Sequence, residues 1–321
     1  MNILEIKNLE IGFYINQVYY PAVKTLNLDL PEGEVLALIG ESGCGKSLSS
    51  LAALNLLPQN AVLSETSQIL LKGNPLQNKS QKELSRIRGK EMGMVFQEPM
   101  TSLNPVLKIG KQLDEIFIHH YQFSKEEAKK ESLNILKKVK LPNPEELYHL
   151  YPHHLSGGMR QRVMIGIAIA CKPSLLIADE PTTALDVTIQ AEIMNLFETL
   201  RSESGAILFI SHNLMLVKDF SDRIAIMYLG EIVEMGKSQD IFKNPLHPYT
   251  EGLMKAIPKI GGNAILKEIP GTVPPLKKIA FHSCRFYERC DKKMKKCLEI
   301  HPELKEEEES HFVRCLLYEK N

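Results

Sequence analysis

Gly40-Glu41-Ser42-Gly43-Cys44-Gly45-Lys46-Ser47 is the stretch whose reading decides the fold. It fits G-x-x-x-x-G-K-[ST], the phosphate-cradling P-loop. Its flanks fit too. Residues 35–39, Val-Leu-Ala-Leu-Ile, form an apolar run of the kind expected for a strand buried on both faces. Residues 48–57 are good helix formers, stopped by Pro58. Gly40, Gly43 and Gly45 let the backbone turn tightly, so that successive N–H groups point inward at polyphosphate oxygens. The helix N-terminus adds partial positive charge at the same place. In this frame Lys46 reaches the β- and γ-phosphates and the Ser47 hydroxyl holds Mg²⁺. A glycine-rich turn that merely precedes a lysine would lack the strand and the helix.

The chain has 321 residues, enough for about two domains and a large core. Lys and Arg total 39, and so do Asp and Glu, so the balance gives no argument for nucleic-acid or membrane-surface binding. The runs Lys292, Lys293, Lys295, Lys296 and Glu306 to Glu309 read as solvated surface. No stretch approaches the roughly 20 apolar residues that span a bilayer; residues 163–171 are the longest candidate. The N-terminal residues 1–7 alternate like a strand and lack a signal-peptide layout. A cytosolic protein is expected, reaching a membrane only through a partner.

Before the loop, residues 3–9 and 23–30 read as strands, with Phe13, Tyr14, Tyr19 and Tyr20 between them. A flat apolar face among these suits an adenine ring, and position relative to the loop favours Phe13. Residues 68–73 and 91–97 are further short strands. Residues 106–121 and 125–140 then carry helical spacing, with Leu133, Leu136 and Val139 as one apolar stripe and Ser124 with Glu127 as a capping box. Leu155-Ser156-Gly157-Gly158-Met159 opens another helix; it reads either as a second anion site or as a plain cap made by Ser156. Residues 174–178 form a buried strand ending in Asp179-Glu180, residues 188–203 a helix, and residues 206–210 and 223–228 strands, the former closing on Ser211-His212. This alternation predicts an α/β fold with a mostly parallel sheet and ligands at the strands' carboxyl ends. From about Lys237 prolines, Pro258 among them, break the pattern, and a separate extension is expected.

An acidic pair closing an apolar strand is the expected partner of a phosphate loop. Asp179 would bind Mg²⁺, and Glu180 would polarise the water that attacks the γ-phosphate.

Gly40 to Ser47, Gln97, Leu155 to Met159, Leu175 to Glu180, Ala184-Leu185-Asp186 and His212 occur in the order and context of ABC-transporter ATPase subunits, which the first 235 or so residues resemble. The resemblance implies a P-loop NTPase: a RecA-like parallel core with an antiparallel β part, over residues 1–236, carrying a helical insertion at about 99–162. It implies ATP and Mg²⁺ as ligands, and two subunits paired head to tail. ATP would lie between Gly40, Glu41, Ser42, Gly43, Cys44, Gly45, Lys46 and Ser47 of one subunit and Ser156, Gly157 and Gly158 of the other. Gln97 would sense Mg²⁺ and the attacking water, His212 would contact the γ-phosphate, and Asp186 would couple the two sites. Phe13 falls where the family places an adenine-stacking aromatic, with Tyr14 a rival. Residues 96–105, Phe-Gln-Glu-Pro-Met-Thr-Ser-Leu-Asn-Pro, with Tyr151-Pro152-His153-His154, residues 178–186, His247-Pro248-Tyr249-Thr250 and Ile269-Pro270-Gly271, are similar to the oligopeptide, dipeptide and nickel importer branch. His154 departs from it, since the branch more often has Gln there. Such subunits work on the cytoplasmic face of the inner membrane with a second ATPase subunit, two permeases and an extracytoplasmic binding protein, and without nucleic acid. A soluble ABC protein would bring two modules or a long coiled coil, and a non-hydrolysing regulator would lack one of Lys46, Asp179, Glu180 and His212.

The extension, residues 237–321, carries Cys284-x5-Cys290-x6-Cys297-x17-Cys315. Four clustered cysteines in a reducing compartment argue for a metal site over disulfides, zinc or an iron–sulfur cluster. The close C-x2–4-C pair usual for zinc is missing, and the branch resemblance implies a [4Fe–4S] cluster. His282, His301 and His311 read as surface residues, and Cys44 and Cys171 need no role.

Overall fold

Runs of apolar residues buried on both faces set the core strands. In the computed structural model, which describes residues 1–98, 102–183, 185–203, 205–257, 268–279 and 282–319, the chain opens with β1 (Asn2–Ile15), β2 (Val18–Pro31), β3 (Val35–Ile39) and α1 (Lys46–Ala53). Next come β4 (Ala61–Leu63), β5 (Gln68–Leu71), β6 (Asn74–Pro75), α2 (Gln81–Ile87) and β7 (Met92–Val95). A helical stretch follows: α3 (Ile109–Tyr121), α4 (Lys125–Lys138), α5 (Pro144–Leu147) and α6 (Gly157–Ile169). Then β8 (Leu175–Asp179), α7 (Val187–Arg201), β9 (Ala206–Ser211), α8 (Leu214–Val217), β10 (Arg223–Tyr228) and β11 (Glu231–Lys237) lead to α9 (Ser238–Lys243) and α10 (Pro248–Lys255). Strands β12 (Lys305–Glu308) and β13 (His311–Val313) close the chain. Pro99, Met100, Thr101, Ala184 and Pro258, used in the sequence reading, lie outside the described residues.

The chain forms two compact units. One comprises Met1–Leu4, Leu30–Glu34 and Leu70–Ile210; the other Glu5–Asp29, Val35–Ile69 and Ser211–Asn321. In the first, β7, β8 and β9 run parallel in adjacent register, and β8 and β9 are buried throughout. The helices of the insertion pack in the same unit. Ser124 and Glu127 form both bonds of the expected capping box. The buried face of α4 carries Ala128, Ser132, Ile135 and Leu136, continued by Val139; of the expected stripe Leu136 and Val139 are buried and Leu133 is half-buried. A Cβ on Gly166 would lie 2.9 Å from Ile135, so glycine is what lets α6 approach α4 closely.

In the second unit the strand order is β12-β13-β11-β10-β3, with β3 and β10 parallel and the others antiparallel. The β10–β11 hairpin turns on Leu229 and Gly230, with φ of 44° and 85°, the left-handed pair that a two-residue loop demands. Gly230 admits no side chain, because a Cβ would meet Ala22 O at 2.1 Å. A second such loop, Asn16–Gln17 with φ of 52° and 64°, joins β1 to β2. The aromatic cluster therefore lies on two 14-residue arms that run on past the expected ends of the first strands. Strands β11, β12 and β13 were not expected. β13 pairs with β11, so strand pairing runs across the boundary expected near residue 237. All four residues of β12 are exposed, and the strand stands at the sheet's edge. Among the described residues no helix is long and apolar enough to cross a membrane.

Candidate functional site

The phosphate loop leaves β3 at Gly40 and enters α1 at Lys46, all within the second unit. Gly43 and Gly45 take φ of 81° and 103°, and a Cβ on Gly40 would stand 2.3 Å from Met227 O, so each of the three expected glycines has its own steric reason. Cys44 is buried, which pushes its thiol up. Its carbonyl accepts from Gly230 N at 2.8 Å, tying the loop to the β10–β11 turn. The Lys46 side chain is buried inside the loop, its Nζ 2.8 Å from Gly40 O and 3.2 Å from Glu41 O. Ser47, the second residue of α1, is half-buried, while Ser42 and Gly43 are exposed. The arrangement places a cation and a helix N-terminus at one spot, which is the chemistry of an anion site.

Elsewhere in this unit, Phe13 lies half-buried on β1 opposite Ala61 of β4. Tyr14 is 64% exposed and meets the Tyr19 ring at 5.5 Å, so it does not belong to the packed face. His212 follows β9 and is exposed.

The loop has partners that the sequence reading did not find. The Tyr249 hydroxyl accepts from Glu41 N at 3.1 Å, and the Arg289 guanidinium grips the Glu41 carboxylate at 2.7 and 3.1 Å. Burial pushes the Tyr249 hydroxyl far up, and Glu41 adds to that. A signal existed for Tyr249, since His247-Pro248 is a cap followed by a first-turn proline and so announces α10. Arg289 carried none.

The first unit assembles the acidic residues. Asp179 ends β8 and Glu180 follows, both buried. Glu180 has φ of 46°, a strained conformation for a side-chain-bearing residue, held by its N–H bond to Ile210 O at 2.9 Å. Gln97 Nε2 and the Thr183 hydroxyl both donate to Glu180 Oε2, at 3.2 and 2.9 Å. Two residues singled out in the sequence, Gln97 and Glu180, are thus brought together, and Thr183 is a third that was missed. Asp186 caps α7 by accepting from Ile189 N at 2.9 Å. Ser156 caps α6 through Met159 N at 3.3 Å; Ser156 and Gly157 are exposed, whereas a Cβ on Gly158 would press on Ile189. The plain-cap reading of Ser156 is therefore realised, and it leaves the helix N-terminus open to solvent. His154 Nδ1 accepts from Tyr151 N at 3.2 Å, a local bond.

Cys284, Cys290, Cys297 and Cys315 border one small cavity in the second unit, with Phe286 and Leu316 among its walls. Burial pushes the Cys284 thiol up to about 12 and that of Cys315 up to about 11, and the neighbouring thiols add to both. Among the described residues no group of three or more Cys, His, Asp or Glu is placed to hold a metal ion, so the metal site expected at these four cysteines is not seen in their arrangement. A single zinc ion needs every sulfur within about 2.3 Å of it, whereas a cluster interposes atoms of its own. Two of the histidines expected on the surface are hydrogen-bonded to buried carboxylates. His311 is buried against Glu234 at 2.8 Å, and His301 meets Glu231 at 3.0 Å. His247 is buried, which drives its imidazole down to about 3 and keeps it neutral.

The ABC transporter family model matches residues 23–183, and the model for the oligopeptide/dipeptide transporter C-terminal region matches residues 233–297. The oligopeptide transport ATP-binding protein AppD of Bacillus subtilis is 44% identical over 99% of this chain and 97% of its own length. The dipeptide transport ATP-binding protein DppD of the same organism is 42% identical over 99% and 95%. Among solved structures, the dimeric post-hydrolysis state of the ATP-binding cassette MJ0796 bound to ADP and Pi superposes with a TM-score of 0.65 at 29% identity, covering 73% of this chain and 98% of that one. The cbiO1 protein of Clostridium perfringens gives 0.64 at 27% identity, covering 76% and 91%. The fold is that of an ABC ATPase cassette, and the chain belongs to the ABC transporter family, in its oligopeptide/dipeptide branch.

Proposed function

We propose, with that family membership as the premise, that this chain is the ATP-hydrolysing subunit of a peptide importer. The observation that carries the reading is the Gly40–Ser47 loop closed around the buried Lys46 ammonium at the N-terminus of α1. ATP phosphates would meet the loop amides and Lys46, and Ser47, Asp179 and Gln97 would serve Mg²⁺. Glu180 would accept the proton of the attacking water, with Gln97 and Thr183 fixing its carboxylate, and His212 would meet the γ-phosphate. Phe13 would stack on adenine. Residues 1–236 are the ATPase part and residues 237–321 a cysteine-bearing extension.

The exposed Ser156 and Gly157, with Gly158 behind them, support the reading that this segment completes the site of a second ATPase subunit, Asp186 linking the two. Two permeases and an extracytoplasmic binding protein would complete the importer and hold this subunit at the cytoplasmic face of the inner membrane. The names of the similar proteins support oligopeptides or dipeptides as cargo over nickel chelates. Specific ATP turnover of the purified chain is expected to rise with its concentration, as pairing completes each site. Strong, concentration-independent turnover by a proven monomer would overturn the shared site.

For the four cysteines the proposed occupant is a [4Fe–4S] cluster. Support comes from the four cysteines bordering one cavity and from the donor set, since four thiolates are what such a cluster takes. When bound, the cluster would serve as a structural cross-link holding Cys284, Cys290, Cys297 and Cys315. Anaerobically purified protein is expected to carry about four iron atoms and matching acid-labile sulfide per chain; zinc without iron would reject the cluster.

A further inference from the structure

We infer that the cysteine module braces the phosphate loop, with Arg289 as a positioning residue that sets nucleotide affinity through Glu41. The inference rests on the proposed ATP site and adds a control on it. Glu41 is the second residue of the loop, and C-terminal residues hold it at two points. Arg289 takes its carboxylate in a two-pronged bond, and Tyr249 accepts its amide proton. The carbonyl of the same residue is one of the two oxygens that anchor Lys46 Nζ. Moving Glu41 therefore moves the ammonium that would face the phosphates.

Arg289 is itself buried and bonded on several sides. Its side chain is 7% exposed, its Nε donates to Pro270 O at 3.0 Å, and its guanidinium lies 5.7 Å from the centre of the Tyr228 ring. Burial alone would lower the guanidinium, but its bonds to Glu41 and Tyr228 hold it above its ordinary range. The turn that carries Arg289 is built from the cysteine segments: Cys284 N bonds Cys297 O at 2.9 Å, Tyr287 N bonds Cys284 O at 3.1 Å, and Cys290 N bonds Tyr287 O at 3.3 Å. Displacing the cysteines displaces this turn.

A second arm runs the same way. Arg285, next to Cys284, donates to Leu229 O and pairs with the buried Glu231 at 3.2 Å. Gly230, between those two residues, donates to the carbonyl of Cys44 in the loop. One arginine beside each of two cysteines thus reaches the loop, one directly at Glu41 and the other by way of the β10–β11 turn. A two-pronged guanidinium–carboxylate pair fixes position as well as distance, which suits a brace.

The test is calorimetric titration of the full chain with ATP. Arg289→Ala is expected to weaken binding about tenfold, and Arg289→Lys, which keeps the charge but not the fork, to recover part of the loss. Glu41→Gln should weaken it by a similar factor, and the double variant should be no weaker than the weaker single. Losses that multiply would overturn the Arg289–Glu41 route. Cys290→Ser should weaken ATP binding in the parental chain and have no effect on top of Arg289→Ala; equal effects in both backgrounds would overturn transmission from the cysteines. Thermal melting is run on every variant. If Arg289→Ala is unfolded at the assay temperature, Arg289→Lys decides, and parental affinity there rejects the brace. A parental chain that fails to bind ATP would sink the proposed function itself, whereas parental affinity in Arg289→Ala sinks only the brace.

Discussion

Glu180→Gln lowers ATP turnover by about 10²- to 10⁴-fold while leaving ATP affinity near the parental value, as expected for loss of a general base. The exchange is nearly isosteric. An amide oxygen at the place of Oε2 still accepts from Gln97 Nε2 and from the Thr183 hydroxyl, now at 3.2 and 2.9 Å, so the local bonds and the left-handed backbone at residue 180 survive. What is lost is the basicity that accepts a proton from water. With hydrolysis blocked and binding intact, ATP-bound subunits should accumulate as a closed pair, seen as a doubled mass in light scattering upon ATP addition. Turnover at the parental rate would remove Glu180 from the chemical step.

Lys46→Ala acts one stage earlier, on binding itself. A charge-assisted bond to a phosphate is worth about 1.5–3 kcal/mol, so ATP affinity should fall about 10- to 10²-fold. The substitution also takes the donor away from Gly40 O and Glu41 O, so part of the loss comes through the shape of the loop. Lys46→Arg separates the two contributions: it keeps a cation, and affinity restored by charge alone would assign the loss to the phosphate contact. Unchanged ATP affinity in Lys46→Ala would contradict the role given to this residue.

How far the sequence could be read depended on how local the deciding physics was. Residues 35–39 and 175–179 are buried on both faces, and an unbroken apolar run is a local mark of that state. The capping box at Ser124 and the helix opening at Ser156 are likewise written within four residues. By contrast, β11 runs Glu-Ile-Val-Glu-Met-Gly-Lys, and its two glutamates hide a buried strand. Glu234 is fully buried because it bonds Leu246 N, His247 N and His311 Nε2, partners 12, 13 and 77 residues away. No local pattern reports such a partner. The same distance hid His311, which reads as a surface histidine until Glu234 is placed beside it, and Arg289, whose partner lies 248 residues earlier. The candidate catalytic residues could be proposed because they sit close to strand ends or helix starts. Thr183, which bonds Glu180, was not picked out, and Tyr249 was announced only by the helix opening at His247-Pro248.

The outermost strand of the second unit has a bearing on how the protein survives in a crowded cell. Among the described residues β12, Lys305-Glu306-Glu307-Glu308, is the outermost strand of its sheet, the kind of edge on which a second polypeptide can add and begin a fibre. Three successive carboxylates on that edge make any approaching copy of the same strand meet its own charge. A segment that looked like idle surface acidity is therefore a guard, keeping an otherwise open sheet from recruiting its neighbours.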